Sequence, residues 1–184
     1  MEGLVFINEH WHGSGFVNTF FKCVTFLGEA GILWIVLGIV LLCFKKTRMS
    51  GFVMLVSLLI GFCVNDFVLK NLIARPRPFV TNPEFAEFLK SISMKQPSMP
   101  SGHSYVAFNA AMMLALFNKK GAWAFVLSFL IAFSRIFLCV HYPTDVLVGS
   151  ILGILTALAV FASYKAIIRK SKSISREKIR KNEV

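Results

Sequence analysis

Long apolar runs joined by short polar connections dominate this chain. After a mixed N-terminal stretch, five runs occupy residues 24–44, 50–69, 103–118, 121–139 and 146–168. Most approach the ~20 residues that a helix needs to cross a bilayer. The third is shorter and relies on its polar ends reaching the interface. The connections after the first run (Lys45, Lys46, Arg48) and after the third (Lys119, Lys120) are brief and basic, as is the C-terminal tail. If the runs alternate in direction, all three basic segments fall on one side, which the positive-inside rule assigns to the cytoplasm. The N-terminus and the connections 70–102 and 140–145 then face outward. The pattern predicts an all-α, polytopic membrane helical bundle of about five transmembrane helices plus an N-terminal interfacial segment. One membrane domain is expected over 1–168, followed by a basic cytoplasmic tail over 169–184.

Residues 1–22 mix Leu4, Phe6, Trp11, Phe16 and Phe20 with Glu9, His10, His12 and asparagines. That composition suits a helix lying on the membrane better than one crossing it. His10 and His12 lack acidic neighbours arranged as metal ligands, so no metal site is expected there. The stretch has no basic region leading to a small-residue cleavage site and does not read as a signal peptide. In the long outward loop, Asn82-Pro83-Glu84 is a good helix start, and Phe85, Phe88, Leu89 and Ile92 then share a face. A short amphipathic helix resting on the membrane is predicted.

Composition supports the membrane class: 56% of residues are hydrophobic and mean hydropathy is +0.68. The formal net charge of +11 could point to nucleic acid, but its distribution argues otherwise. From Lys165 onward eight Lys/Arg stand against two Asp/Glu, directly after an apolar run, which reads as attraction to anionic membrane lipids. No nucleic-acid-binding motif accompanies the charge, so nucleic acid is not expected as a partner. Cys23, Cys43, Cys63 and Cys139 are scattered without ligand spacing, so neither a disulfide framework nor a zinc site is supported. The sequence carries no sign of oligomeric state.

Three polar clusters stand out because ionisable groups at the edge of hydrocarbon are expensive and usually functional. Lys70, Arg75 and Arg77 lie just beyond the second run, with Pro76 and Pro78 forcing the chain out of the helix. Arginine suits bidentate binding of phosphate oxygens, and lysine adds a point charge. Pro100-Ser101-Gly102-His103 opens the third run, where free backbone N–H groups and the helix dipole favour an anion beside a proton-transferring imidazole. The third cluster runs from Ser134 and Arg135 to His141 and Asp145. The four-residue spacing of His141 and Asp145 lets the carboxylate fix one ring nitrogen while the other is free to act as a nucleophile. A hydrolytic serine triad is the competing reading, but no Gly-x-Ser-x-Gly elbow is present. Asp66, one turn before Lys70, is expected to pair with it. For Glu29 and Asn65 only helix-packing contacts are expected.

These clusters match, in order, Lys-x6-Arg-Pro, Pro-Ser-Gly-His and Ser-Arg-x5-His-x3-Asp. The sequence thereby resembles the type 2 phosphatidic acid phosphatase family from about Lys70 to Asp145. The resemblance implies a metal-independent phosphatase or diphosphatase without a cofactor. It also implies roles: His141 as nucleophile forming a phosphohistidine, Asp145 orienting it, and His103 protonating the leaving oxygen. Lys70, Arg77, Ser101, Gly102 and Arg135 would hold the phosphate oxygens, with Arg75 in support. The implied substrate is a lipid phosphate, with undecaprenyl diphosphate first and phosphatidylglycerophosphate, phosphatidic acid or lipid A phosphates as alternatives. Many members have six core spans, where five are counted here. A non-catalytic lipid-binding or transport subunit is the rival of another class, but the paired interrupted helices or repeated halves of transporters are not evident.

Overall fold

A computed structural model describes residues 15–81 and 96–182, and these form helices and turns with no strand. The N-terminal half of the expected interfacial segment, with His10 and His12, and the helix expected from Asn82 lie outside the described residues.

The first apolar run is not one helix. Helix α1 (Gly15–Leu27) starts well before residue 24, crossing the boundary expected between interfacial segment and first span. A 3-10 turn at Glu29–Gly31 then separates it from α2 (Ile32–Cys43). Gly31 sits at φ 69°, a left-handed conformation that favours glycine, and the two helices meet at a 46° bend. Phe21 on α1 stacks on Phe137 at 4.3 Å between ring centroids, anchoring this helix to the fourth run.

Helix α3 (Arg48–Phe62) returns antiparallel to α2, at a crossing so close that a Cβ on Gly51 would stand 2.5 Å from the Gly38 carbonyl oxygen. It passes without a break into a π-helical stretch, Cys63–Leu69, then into α4 (Lys70–Ile73). Ala74, at φ 47°, ends the helix, and Arg75–Arg77 leads to the short α5 (Pro78–Thr81). Helix α6 (Gly102–Phe117) is the hub of the bundle, lying against α3, α7 (Ala124–Phe137) and α8 (Pro143–Asn182). Its Tyr105, Ala107, Ala110, Ala111 and Met113 are buried on several sides, as expected of a helix apolar all round. Around it Met54, Ile131 and Ala157 complete the core.

Among the described residues, three segments are long and apolar enough to cross a membrane: Arg48–Thr81, Lys119–Phe137 and Pro143–Asn182. The bent pair α1–α2 adds a fourth if it counts as one span, and Gly102–Phe117 is shorter. Among the described residues, length and composition therefore do not give five full-length spans. Much of the third run is buried inside the bundle. Outward-facing Ile39, Phe52, Leu59, Phe129 and Leu155 are exposed, an apolar surface that belongs in a bilayer.

Helices α6 and α8 touch through Gly149 and Gly153, spaced four apart in the small-residue pattern that brings membrane helices together. A Cβ on Gly149 would lie 2.5 Å from Ser101 O, and one on Gly153 would collide with Tyr105 O. This contact fixes the start of α6 against the start of α8, where two of the three polar clusters lie.

Candidate active site

The π-helical stretch sets the first cluster in place. Lys70 N–H reaches back five residues to Asn65 O, widening the turn that carries Asp66 and Lys70. Lys70 Nζ pairs with Asp66, as expected, and donates to Gln96 Oε1 at 3.0 Å. The extended Arg75–Arg77 segment then splits its two guanidiniums between different tasks. Arg77 Nε donates to Gln96 O at 2.8 Å, and its Nη1 donates to Val140 O at 3.1 Å. The same Nη1 lies 3.4 Å from His141 Nε2. Arg75 Nη1 instead donates to Asp145 Oδ1 and to Thr144 Oγ1, both at 2.7 Å, and its guanidinium stacks over the Tyr142 ring. Ser98 holds this segment in place through Ser98 N–H to Arg75 O (2.9 Å) and Ser98 Oγ to Pro76 O (3.2 Å).

At the end of α7 the chain reverses through Cys139, at φ 52°, and the N–H groups of Val140 and His141 both donate to Arg135 O. That reversal lays His141 back over the guanidinium-bearing end of the helix. Arg135 is buried and donates to Thr25 Oγ1 on α1. Asp145 is fully buried, accepting at Oδ1 from Arg75 and at Oδ2 from Tyr142 N–H at 2.9 Å. Its Oδ2 faces His141 Nδ1 at 3.6 Å, somewhat beyond hydrogen-bond length, and Nδ1 has no other partner among the described residues. A guanidinium can only donate, so the Arg77 contact leaves the lone pair on Nε2 and the proton on Nδ1. Burial pushes the His141 imidazole well below its ordinary value, to about 3, with Asp145 opposing and Arg135 and Arg77 adding to the shift. His141 is thus neutral near pH 7, with its Nε2 lone pair beside the Arg77 guanidinium.

Lys70, Arg77, Gly102, His103, Arg135 and His141 line a single cavity of about 540 Å³. Six of the eight residues singled out from the sequence therefore meet in one space. Asp145 stands behind His141. Ser101 is not among the lining residues: its N–H donates to Asp145 O at 3.0 Å and its hydroxyl accepts from Ser104 Oγ. Three cations withdrawn from water around one cavity favour an anion of complementary shape. Among the described residues no group of His, Cys, Asp and Glu is arranged to hold a metal ion.

Sequence reasoning underrated Arg75, which holds the carboxylate behind His141. It also missed Gln96, which joins Lys70 to Arg77 from a stretch without a motif. Glu29 and Gly28 line the cavity too, and the signal for them was present: one acid flanked by Gly28 and Gly31 inside an apolar run.

The PAP2 superfamily pattern matches residues 50–169, a stretch that holds all three polar clusters. The chain belongs to the PAP2 superfamily. It is 33% identical over 142 residues to the bacitracin transport permease protein BcrC of Bacillus licheniformis, covering 75% of this chain and 68% of that one. Against an undecaprenyl-diphosphatase of Sulfolobus acidocaldarius it is 33% identical over 135 residues, covering 71% of this chain and 64% of the other. Among solved structures, a transmembrane PAP2-type phosphatidylglycerolphosphate phosphatase from Bacillus subtilis superposes with a TM-score of 0.68 at 26% identity, covering 90% of this chain and 86% of that one. The family suggested by the three motifs is therefore the right one, and this PAP2 protein is a multi-pass membrane phosphatase, a hydrolase acting on phosphoric esters.

Proposed function

We propose that this protein removes the terminal phosphate of a lipid diphosphate at the outer face of the cell membrane, with undecaprenyl diphosphate as the substrate and undecaprenyl phosphate as the product. The observation that carries this reading is His141 Nε2 beside Arg77, in one cavity with Lys70, Arg135 and His103. Lys70, Arg77 and Arg135 grip the terminal phosphoryl oxygens, with the start of α6 at Gly102 completing the cradle. The Nε2 lone pair attacks phosphorus, the bond to the bridging oxygen breaks, and that oxygen leaves with a proton from His103. Asp145, held by Arg75, offsets the positive charge that develops on the His141 ring. Water, deprotonated by His103, then attacks the phosphohistidine, releasing inorganic phosphate and restoring both imidazoles. Every step uses this chain's own groups and needs no metal ion.

The choice of a diphosphate is supported by the named diphosphatase relative and by a cavity with room for two phosphates. The phosphatidylglycerolphosphate phosphatase neighbour favours a glycerolipid monophosphate as the second reading. The outward orientation is supported by charge, since Lys119 and Lys120 lie at the end of α6 and α7 away from the cavity, with the basic end of α8 also remote from it.

The test is phosphate release by purified protein in EDTA from undecaprenyl diphosphate, phosphatidylglycerophosphate and phosphatidic acid, with His141→Ala alongside. The diphosphate should be preferred, a short-chain soluble analogue should be hydrolysed by intact cells, and the variant should lose on the order of 10⁴-fold or more in activity. Abolition by EDTA, or an active His141→Ala protein, would refute the mechanism. A preference for either monophosphate would move the substrate to the second reading.

A further inference from the structure

The 3-10 turn that breaks the first apolar run has no counterpart among the three motifs, yet it places a carboxylate in the cavity. Glu29 Oε2 lies 3.7 Å from His103 Nε2. Glu29 is 56% exposed on its side chain, whereas His103 Nε2 is buried and has no hydrogen-bond partner among the described residues. Two glycines set this approach. A Cβ on Gly28 would stand 3.0 Å from His103 Cδ2 and 2.8 Å from Ile131 Cγ2. One on Gly31 would stand 2.9 Å from Val106 Cγ1, one turn along from His103 on α6. The bend is therefore seated directly on the helix that carries His103.

The surroundings give that carboxylate a task. Lys70, Arg77 and Arg135 line the same cavity as His103, and each of these cations opposes a positive charge on its ring. Two carboxylates line the cavity among the described residues, and Asp66 is already paired with Lys70. Glu29 is the other, and it faces His103 Nε2, which is buried without a hydrogen-bond partner among the described residues.

We propose that Glu29 is a positioning residue for His103, closing to a hydrogen bond with Nε2 and holding the ring in its proton-donating form until the leaving oxygen takes the proton. The inference rests on His103 acting as the acid of the proposed reaction. Once the proton has passed to the bridging oxygen, Glu29 accepts the remaining hydrogen bond or turns toward solvent, and the ring is free to take a proton from the incoming water. The bend in the first span then completes the site with a group that the three motifs do not contain.

The sign of the effect is fixed by the chemistry. Loss of the Glu29 charge destabilises the protonated ring, so the alkaline limb of the kcat profile should move to lower pH. The experiment compares wild type, Glu29→Gln, Glu29→Asp and His103→Ala on a lipid diphosphate and on p-nitrophenyl phosphate, whose leaving group barely needs protonation. Glu29→Gln should lose roughly 10–100-fold in kcat on the lipid with KM little changed, a fraction of what general acid catalysis supplies. It should also shift the alkaline limb by about one pH unit and lose much less on the aryl ester. Glu29→Asp should recover part of both. Equal loss on the two substrates, or an unmoved limb, would overturn the assignment while leaving the phosphohistidine reaction intact. If His103→Ala hydrolyses the lipid as wild type does, His103 is not the acid and the Glu29 proposal falls with it.

Discussion

At the scale of single residues, the placement of Arg75 separates two guanidiniums that the sequence puts two positions apart. Arg77 turns into the cavity, and Arg75 grips the buried Asp145 from the other side at 2.7 Å. A fully buried carboxylate needs a partner, because an unpaired charge in a low-dielectric site is costly. Arg75→Ala should therefore lower kcat by roughly 10–100-fold through misplacement of Asp145, with KM changed much less than in Arg77→Ala. Steady-state kinetics on the two variants check this, and a larger KM effect at Arg75 would mean that it contacts substrate. The difference in role was not legible in the sequence, because both residues sit in one Arg-Pro-Arg-Pro run and only the fold shows which way each points. His141, His103 and Lys70, which the fold brings to one cavity, stand out in the sequence because ionisable groups are expensive at the end of an apolar run.

At the scale of elements, the helices were readable wherever lipid faces them. The second, fourth and fifth apolar runs correspond to segments that can cross a membrane, Arg48–Thr81, Lys119–Phe137 and Pro143–Asn182. What the runs concealed is local geometry. Hydrophobicity continues unbroken through the π-helical stretch at Cys63–Leu69, and it resumes at once after the bend at Glu29–Gly31, so neither interrupts the pattern strongly. Both irregularities border the cavity, as expected if deviations from regular helix are kept where they orient functional groups. The Gly149–Gly153 contact was equally hidden, since glycine in an apolar run reads as neutral until a neighbouring backbone is seen against it. Gly153→Val should push α8 off α6 and destabilise the protein by roughly 1–3 kcal/mol. The reading is a lower melting temperature in detergent, accompanied by lost activity because Ser101, Gly102 and His103 move with α6. A variant of unchanged stability would contradict the close packing at Tyr105 O.

At the scale of the whole molecule, the site is assembled from segments far apart in sequence at one end of the bundle. The end of the second run brings Lys70 and Arg77, the start of α6 brings Gly102 and His103, and the turn between α7 and α8 brings His141. Thr25 on α1 reaches Arg135 from a fourth direction. The order of the three motifs announced this convergence, since alternating spans must return each cluster to the same side. The contribution of α1 and its bend lies outside the motifs and shows in the sequence only as Glu29 flanked by Gly28 and Gly31 inside an apolar run. The central claim is that this convergence serves to pass a phosphoryl group to His141 Nε2, and trapping that intermediate tests it most directly. Purified protein mixed with ³²P-labelled lipid diphosphate and quenched in alkali, where phosphohistidine survives, should carry label on the peptide containing His141 within a single turnover. His141→Gln should carry none. Phosphate released at the full rate with no label on the wild-type protein at any time point would contradict the account.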